Sequence, residues 1–172
     1  MIREGVELPK LVGHYCFGCG TENPRGLNLY FYRSGDAICA DITLDKHHEG
    51  WANMVHGGII STLFDEVMSW TILYFKRIFF VTRKMEVRYI RPALIGVPLT
   101  VRGKITNAED PASSTITARA EMLSKDGSLL AKATGEFFIL PPERLSSVPE
   151  DQKRDMTRLF ERLDSQEGWR SG

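Results

Sequence analysis

The residues that could do chemistry cluster in one stretch, His56-Gly57-Gly58 followed by an apolar run and then Asp65-Glu66. Two glycines at a helix start let a ligand approach bare backbone, and the unpaired N–H groups there sit at the positive end of the helix dipole. Such a turn suits an anion or a developing oxyanion. Asp65 lies among Leu63, Phe64, Val67 and Met68. A carboxylate in apolar company is costly to bury without a partner or a purpose, and desolvation raises its pKa. The plain alternative is that Asp65 and Glu66 mark the wet stripe of a half-exposed helix. Eight helical positions separate Gly57 from Asp65, about 12 Å along the axis, too far for one small reacting centre. Either the helix start is displaced, or a second chain completes the site.

The elements that must hold these groups follow from periodicity. Ile59, Ile60, Leu63, Phe64, Val67, Met68, Thr71, Ile72 and Phe75 recur at three- and four-residue spacing, a long helix with a wide apolar arc that must be largely buried. Before it, Leu27, Leu29 and Phe31 alternate with Asn28, Tyr30 and Tyr32, a Ser-Gly-Asp turn falls at 34–36, and Ala37 to Leu44 resumes the alternation. That is a β-hairpin. Residues 45–56 read as a loop. After the helix come four strands, Phe80–Arg91, Leu99–Thr106, Thr115–Ser124 and Ser128–Leu140. Lys125-Asp126-Gly127 makes a tight turn, and Pro92, Pro98 and Pro111 are expected between strands. An antiparallel sheet wrapped around one long central helix satisfies both apolar surfaces, an α+β class. Residues 1–140 are read as that domain, with an irregular lead-in at 1–26. Residues 141–172 form a tail in which Ser147 and Glu150 have capping-box spacing and Met156, Leu159, Phe160 and Leu163 make the apolar stripe of an amphipathic helix.

Composition narrows the partners. The 172 residues carry 22 basic and 22 acidic side chains, so no basic surplus exists to grip nucleic acid. The most apolar stretch, residues 59–80, is broken by Asp65, Glu66, Lys76 and Arg77 and fails as a membrane span. Three cysteines, no secretion signal and no anchor suggest a soluble, cytoplasmic protein. Cys16-x-x-Cys19 with His14 nearby is half a zinc spacing. No second pair of ligands follows it, so no metal is assigned unless subunits share one. No nucleophile elbow, P-loop or dinucleotide fingerprint is present, and no cofactor is expected.

The stretch VHGGIISTLFDEVMSW resembles the signature of the hotdog-fold acyl-CoA thioesterases, in the branch of the phenylacetate-pathway (PaaI-like) enzymes. CFGCGTENPRGLNL, TRKMEVRYIRP and SKDGSLLAKATGEF resemble its lead-in, next strand and final hairpin, so the likeness extends over residues 15–140. It implies a homodimer or homotetramer with shared sites and an acyl-CoA substrate. Asp65 then corresponds to the nucleophile or general base, and the Gly57 or Gly58 amide to the group that polarises the carbonyl. Thr82 falls where the family puts a Ser or Thr, from the other subunit, that orients water, and His56 is an orienting residue at the helix start. Many relatives have Asn or Gln where this chain has Gly50, and Asn53 is the nearest amide. Met54 is expected at the acyl tunnel, and Arg83, Arg88 and Arg91 as contacts to coenzyme A phosphates, although alternating charge is also what the wet face of a strand looks like. The competing functions are a non-catalytic acyl-CoA-binding module and a hydratase or dehydratase on the same fold.

Overall fold

A computed structural model describes residues 5–106 and 113–168. The sheet has seven antiparallel strands: β1 Val6–Glu7, β2 Phe31–Ser34, β3 Ala37–Thr43, β4 Phe80–Tyr89, β5 Pro98–Ile105, β6 Thr115–Ser124 and β7 Leu129–Ile139. Its spatial order is β1-β2-β3-β5-β6-β7-β4. The long helix α1, Gly57–Lys76, lies against it, and two helices follow, α2 Pro142–Leu145 and α3 Glu150–Gly168. Among the described residues no helix is long and apolar enough to cross a membrane.

The apolar arc of α1 is buried as its period requires, with Ile60, Leu63, Phe64, Val67, Met68 and Ile72 all in the core. Trp70 stacks on Phe31 at 4.8 Å, which fixes the helix against the first hairpin. The approach to β5 is closest at Gly103, where a Cβ would come within 2.6 Å of Thr71 Oγ1 and 3.0 Å of the Val67 carbonyl. Only glycine lets helix and strand pack this tightly. The helix ends at Arg77, which takes a left-handed conformation and donates its N–H to the Leu73 carbonyl. The Arg77 guanidinium then bonds Asp164 at 2.9 Å, tying α1 to α3.

Several sequence expectations shift. Leu27, Leu29 and Phe31 are buried in alternation, yet residues 27–30 are not strand and β2 is only four residues long. Asn28 adopts φ 47°, and the Leu27 and Leu29 N–H groups bond the Phe17 and Gly18 carbonyls of the lead-in rather than a neighbouring strand. Pro98 is not between strands but opens β5 opposite Thr43, a first position that tolerates proline. Pro111 lies outside the described residues. The Ser147 capping box does not form, because its hydroxyl donates to the Arg144 carbonyl and Glu150 pairs with Lys153. Strand β1 and helix α2 had no period long enough to read.

The stripe of α3 joins the main core, where Leu159 and Leu163 are fully buried. Its polar side holds the lead-in: Arg162 donates to the Lys10 carbonyl at 2.8 Å, Gln166 to the Glu7 carbonyl at 3.3 Å, and His14 sits 3.4 Å from Asp155.

Candidate active site

The glycine turn is built by its own neighbours. His56 caps α1 from an extended conformation, and its Nδ1 accepts the Gly58 N–H at 2.9 Å. This gives His56 the orienting place the sequence suggested and removes Gly58 from the pair of free amides, since its N–H is already bonded. Ile59 and Ile60 donate to the His56 carbonyl. Gly57 is left with an N–H that no described residue accepts. The Gly57 carbonyl accepts from Tyr89 Oη at 3.0 Å and Ser61 Oγ at 3.1 Å, which holds that peptide in place. Neither Tyr89 nor Ser61 was legible as a site residue, because only the crossing of β4 over the helix start joins them.

Beside this turn lies a cavity of about 810 Å³, with Gly50, Trp51, Met54, Gly57, Tyr89 and Arg91 among its walls. Its mouth carries exposed Trp51, Tyr89 and Ile90. Met54 and Arg91 both line the cavity. Asn53 does not line the cavity: it turns the chain with φ 61°, and its N–H donates to Glu49 at 2.5 Å. Gly50 has a structural reason, since a Cβ there would stand 3.0 Å from the His56 Cα. An amide side chain at position 50 would press on the residue that caps the helix.

Farther along α1, Asp65 is half-buried, and burial pushes its carboxyl pKa up. The Thr82 hydroxyl donates to Asp65 Oδ1 at 2.9 Å and opposes that rise. Thr82 thus meets Asp65 of its own chain. The sheet register slips between Thr82 and Lys84, a β-bulge that turns Thr82 toward the helix and leaves Arg83 exposed. The Asp65 pair and the Gly57 turn remain separate along one helix, as the spacing required.

The three arginines do not converge. Arg91 lines the cavity at the glycine turn, Arg83 sits at the bulge, and Arg88 lines a different hollow with Arg102, Lys104, Arg119 and Lys132. Arg91 lies past the end of β4, where the Ile90 and Arg91 N–H groups both bond the Leu130 carbonyl and the regular ladder stops. Lys84 pairs with Glu136 at 3.7 Å, the wet-face behaviour that was the alternative reading.

A sheet wrapped on a central helix, with a glycine-rich start and a half-buried carboxylate two turns on, defines a hotdog-fold protein. Residues 52–131 match the family model of the thioesterase superfamily. It is 31% identical over 122 residues to an uncharacterized protein of Schizosaccharomyces pombe, a match covering 68% of this chain and 61% of that one. Among solved structures it is similar to a thioesterase superfamily protein at TM-score 0.63 and 24% identity, covering 68% of this chain and 56% of that one. The phenylacetic acid degradation protein PaaI of Thermus thermophilus matches at TM-score 0.58 and 24% identity, covering 66% and 95%. A Streptococcus mutans protein solved with acetyl CoA matches at TM-score 0.59 and 18% identity, covering 66% and 89%. The chain thus spans about three fifths of the length of the curated relative.

Proposed function

We propose that the protein hydrolyses an acyl-CoA thioester to the free acid and coenzyme A, with each site shared between two chains. The observation that carries this is the division of labour along α1. Asp65 with Thr82 forms one half-site, and the free Gly57 N–H beside the cavity forms the other. Paired head to head, two helices bring the carboxylate of one protomer to the glycine turn of its partner. The Asp65 carboxylate attacks the thioester carbonyl carbon to give an acyl-enzyme anhydride that water then cleaves to the acid and the free carboxylate, or it takes a proton from the water that attacks directly and returns it to the departing sulfur. The Gly57 amide stabilises the oxyanion, and the C–S bond breaks as coenzyme A leaves as the thiol.

Strand β4 supports the pairing. It stands at the edge of the sheet, ten residues long and largely exposed, with one side unpaired among the described residues. A long bare edge invites another strand, and a second β4 would extend both sheets. Arg91, at the cavity mouth, suits a coenzyme A phosphate. The structural neighbour solved with acetyl CoA supports this ligand class. The three free thiols support a reducing, cytosolic setting.

Thiol release across short, medium, long and aryl acyl-CoA thioesters tests the reading, with Asp65→Asn as the control. The parent is expected to turn over at least one class and Asp65→Asn to keep its fold and lose that turnover. A second reading, a non-catalytic acyl-CoA-binding module, is favoured by Gly50 in place of the family's amide. Binding of acyl-CoA by folded protein with no thiol release from any substrate would select it.

A further inference from the structure

Asp65 and Glu66 are neighbours in sequence and face different surroundings. Asp65 meets Thr82 of β4, whereas Glu66 meets the lead-in, where the Cys16 thiol donates to Glu66 Oε1 at 3.1 Å. Sequence reading left Cys16-x-x-Cys19 as half a site. The fold supplies a third donor from fifty positions away: the two sulfurs and a Glu66 oxygen all lie within 4.8 Å of one another. We propose that Cys16, Cys19 and Glu66 form a zinc site, with three protein ligands and a fourth position open to water.

The loop is shaped for this set. A Cβ on Gly18 would overlap Glu66 Cγ and Cδ, so only glycine lets the loop lie on the carboxylate. A Cβ on Gly20 would come within 2.5 Å of the His14 and Cys16 carbonyls, and the Gly20 N–H closes the turn on the Cys16 carbonyl at 2.9 Å. The Leu27 and Leu29 N–H groups bond the Phe17 and Gly18 carbonyls and anchor the loop to the approach of β2.

Donor chemistry selects the ion. Two thiolates with one carboxylate suit tetrahedral Zn²⁺, whereas Mg²⁺ and Ca²⁺ require all-oxygen cages. Two thiolates and a carboxylate around Zn²⁺ leave one negative charge. Binding replaces the thiol protons, which pass to solvent. The cation would pin the lead-in to α1 one residue from Asp65, and its occupancy is independent of whether the protein cleaves thioesters.

The test titrates the reduced, metal-free full chain with Co²⁺ and then Zn²⁺. One Co²⁺ per chain is expected, with a thiolate-to-cobalt charge-transfer band and the strong visible absorption of four-coordinate cobalt, both bleached by Zn²⁺. Cys16→Ser and Cys19→Ser should abolish the charge-transfer band or halve it. Glu66→Gln should weaken binding by about tenfold or more, which corresponds to about 1.4 kcal/mol. Cys39→Ser should change nothing. Absence of these bands from folded, reduced parent, or unchanged affinity in Glu66→Gln, overturns the site. X-ray absorption of the zinc-loaded parent needs no variant: two sulfurs with lighter donors support the proposal, and four sulfurs overturn it.

Discussion

The hydrogen bond from Thr82 to Asp65 gives the sharpest test of the catalytic reading. Thr82→Val keeps the shape of the side chain and removes the one donor at 2.9 Å from Oδ1. A hydrogen bond to an ionised group contributes about 1.5–3 kcal/mol net. Thr82 is exposed in the free protein, so water replaces much of the lost bond there and global stability should fall little. In a site covered by substrate and a second chain that replacement is lost. If the bond orients the carboxylate in the transition state, the cost converts to a fall in kcat of roughly 10- to 150-fold. KM should stay near the parent value, because Thr82 does not line the cavity at the glycine turn. Thr82→Ser, which restores the donor, should recover kcat to within about threefold by the same arithmetic. The assay is thiol release from the best substrate of the acyl-CoA panel, with unfolding curves for each variant. A Thr82→Val protein that is folded and turns over within about twofold of the parent would refute the role.

Three further outcomes are expected. Tyr89→Phe loses the hydroxyl that holds the Gly57 carbonyl, a neutral bond of about 0.5–1.5 kcal/mol, so kcat/KM should fall roughly two- to tenfold. An unchanged value would mean Ser61 holds the peptide unaided. Leu163→Ala should cost about 2–5 kcal/mol, read as a lower urea midpoint at constant slope, because its side chain is wholly buried between α3 and the core. A loss under about 1 kcal/mol would detach α3 from the core. In the β6–β7 turn, hydroxyls of Ser124 and Ser128 and the Ser128 N–H hold the Asp126 carboxyl down to about 2. Its folded value is depressed, so its contribution is present above the ordinary aspartate range and lost as pH falls through about 2. Carbon-detected NMR titration should show that value, and ordinary titration near 4 would contradict the geometry.

What the sequence made legible was whatever repeats. The 3.6-residue period of α1 located a helix that begins at Gly57, and strict alternation located β3, β6 and β7 within one residue at each end. The likeness to hotdog thioesterases, by contrast, was needed to single out Thr82, which has no period of its own to mark it. Long-range pairing was invisible. Tyr89 and Gly57 meet only because β4 crosses the helix start, and Glu66 meets Cys16 only because the lead-in folds back over α1. Local signals failed where tertiary partners outbid them, as when the lead-in carbonyls captured the Leu27 and Leu29 N–H groups, or when Ser147 bonded backward to Arg144. The arginines show the same limit, since alternation alone could not say that Arg88 and Arg91 line different hollows.

The order of the sheet also governs how it can be assembled. Strand β4 follows α1 in the chain, yet its neighbour is β7, and Phe80 pairs with Ile139. As the chain is synthesised, β4 emerges with no strand to join until β7 has been made, while β2 and β3 close locally at once. Pairings distant in sequence carry a loop-closure cost, as β3–β5 also does, and β4 in addition waits for the last strand to be made. The strand that carries Thr82 and Tyr89 is therefore held back until the rest of the sheet exists, so a nascent chain completes its core before it can complete its chemistry. Any truncation that removes β7 strips β4 of its scaffold and disables the site from the far end of the sequence.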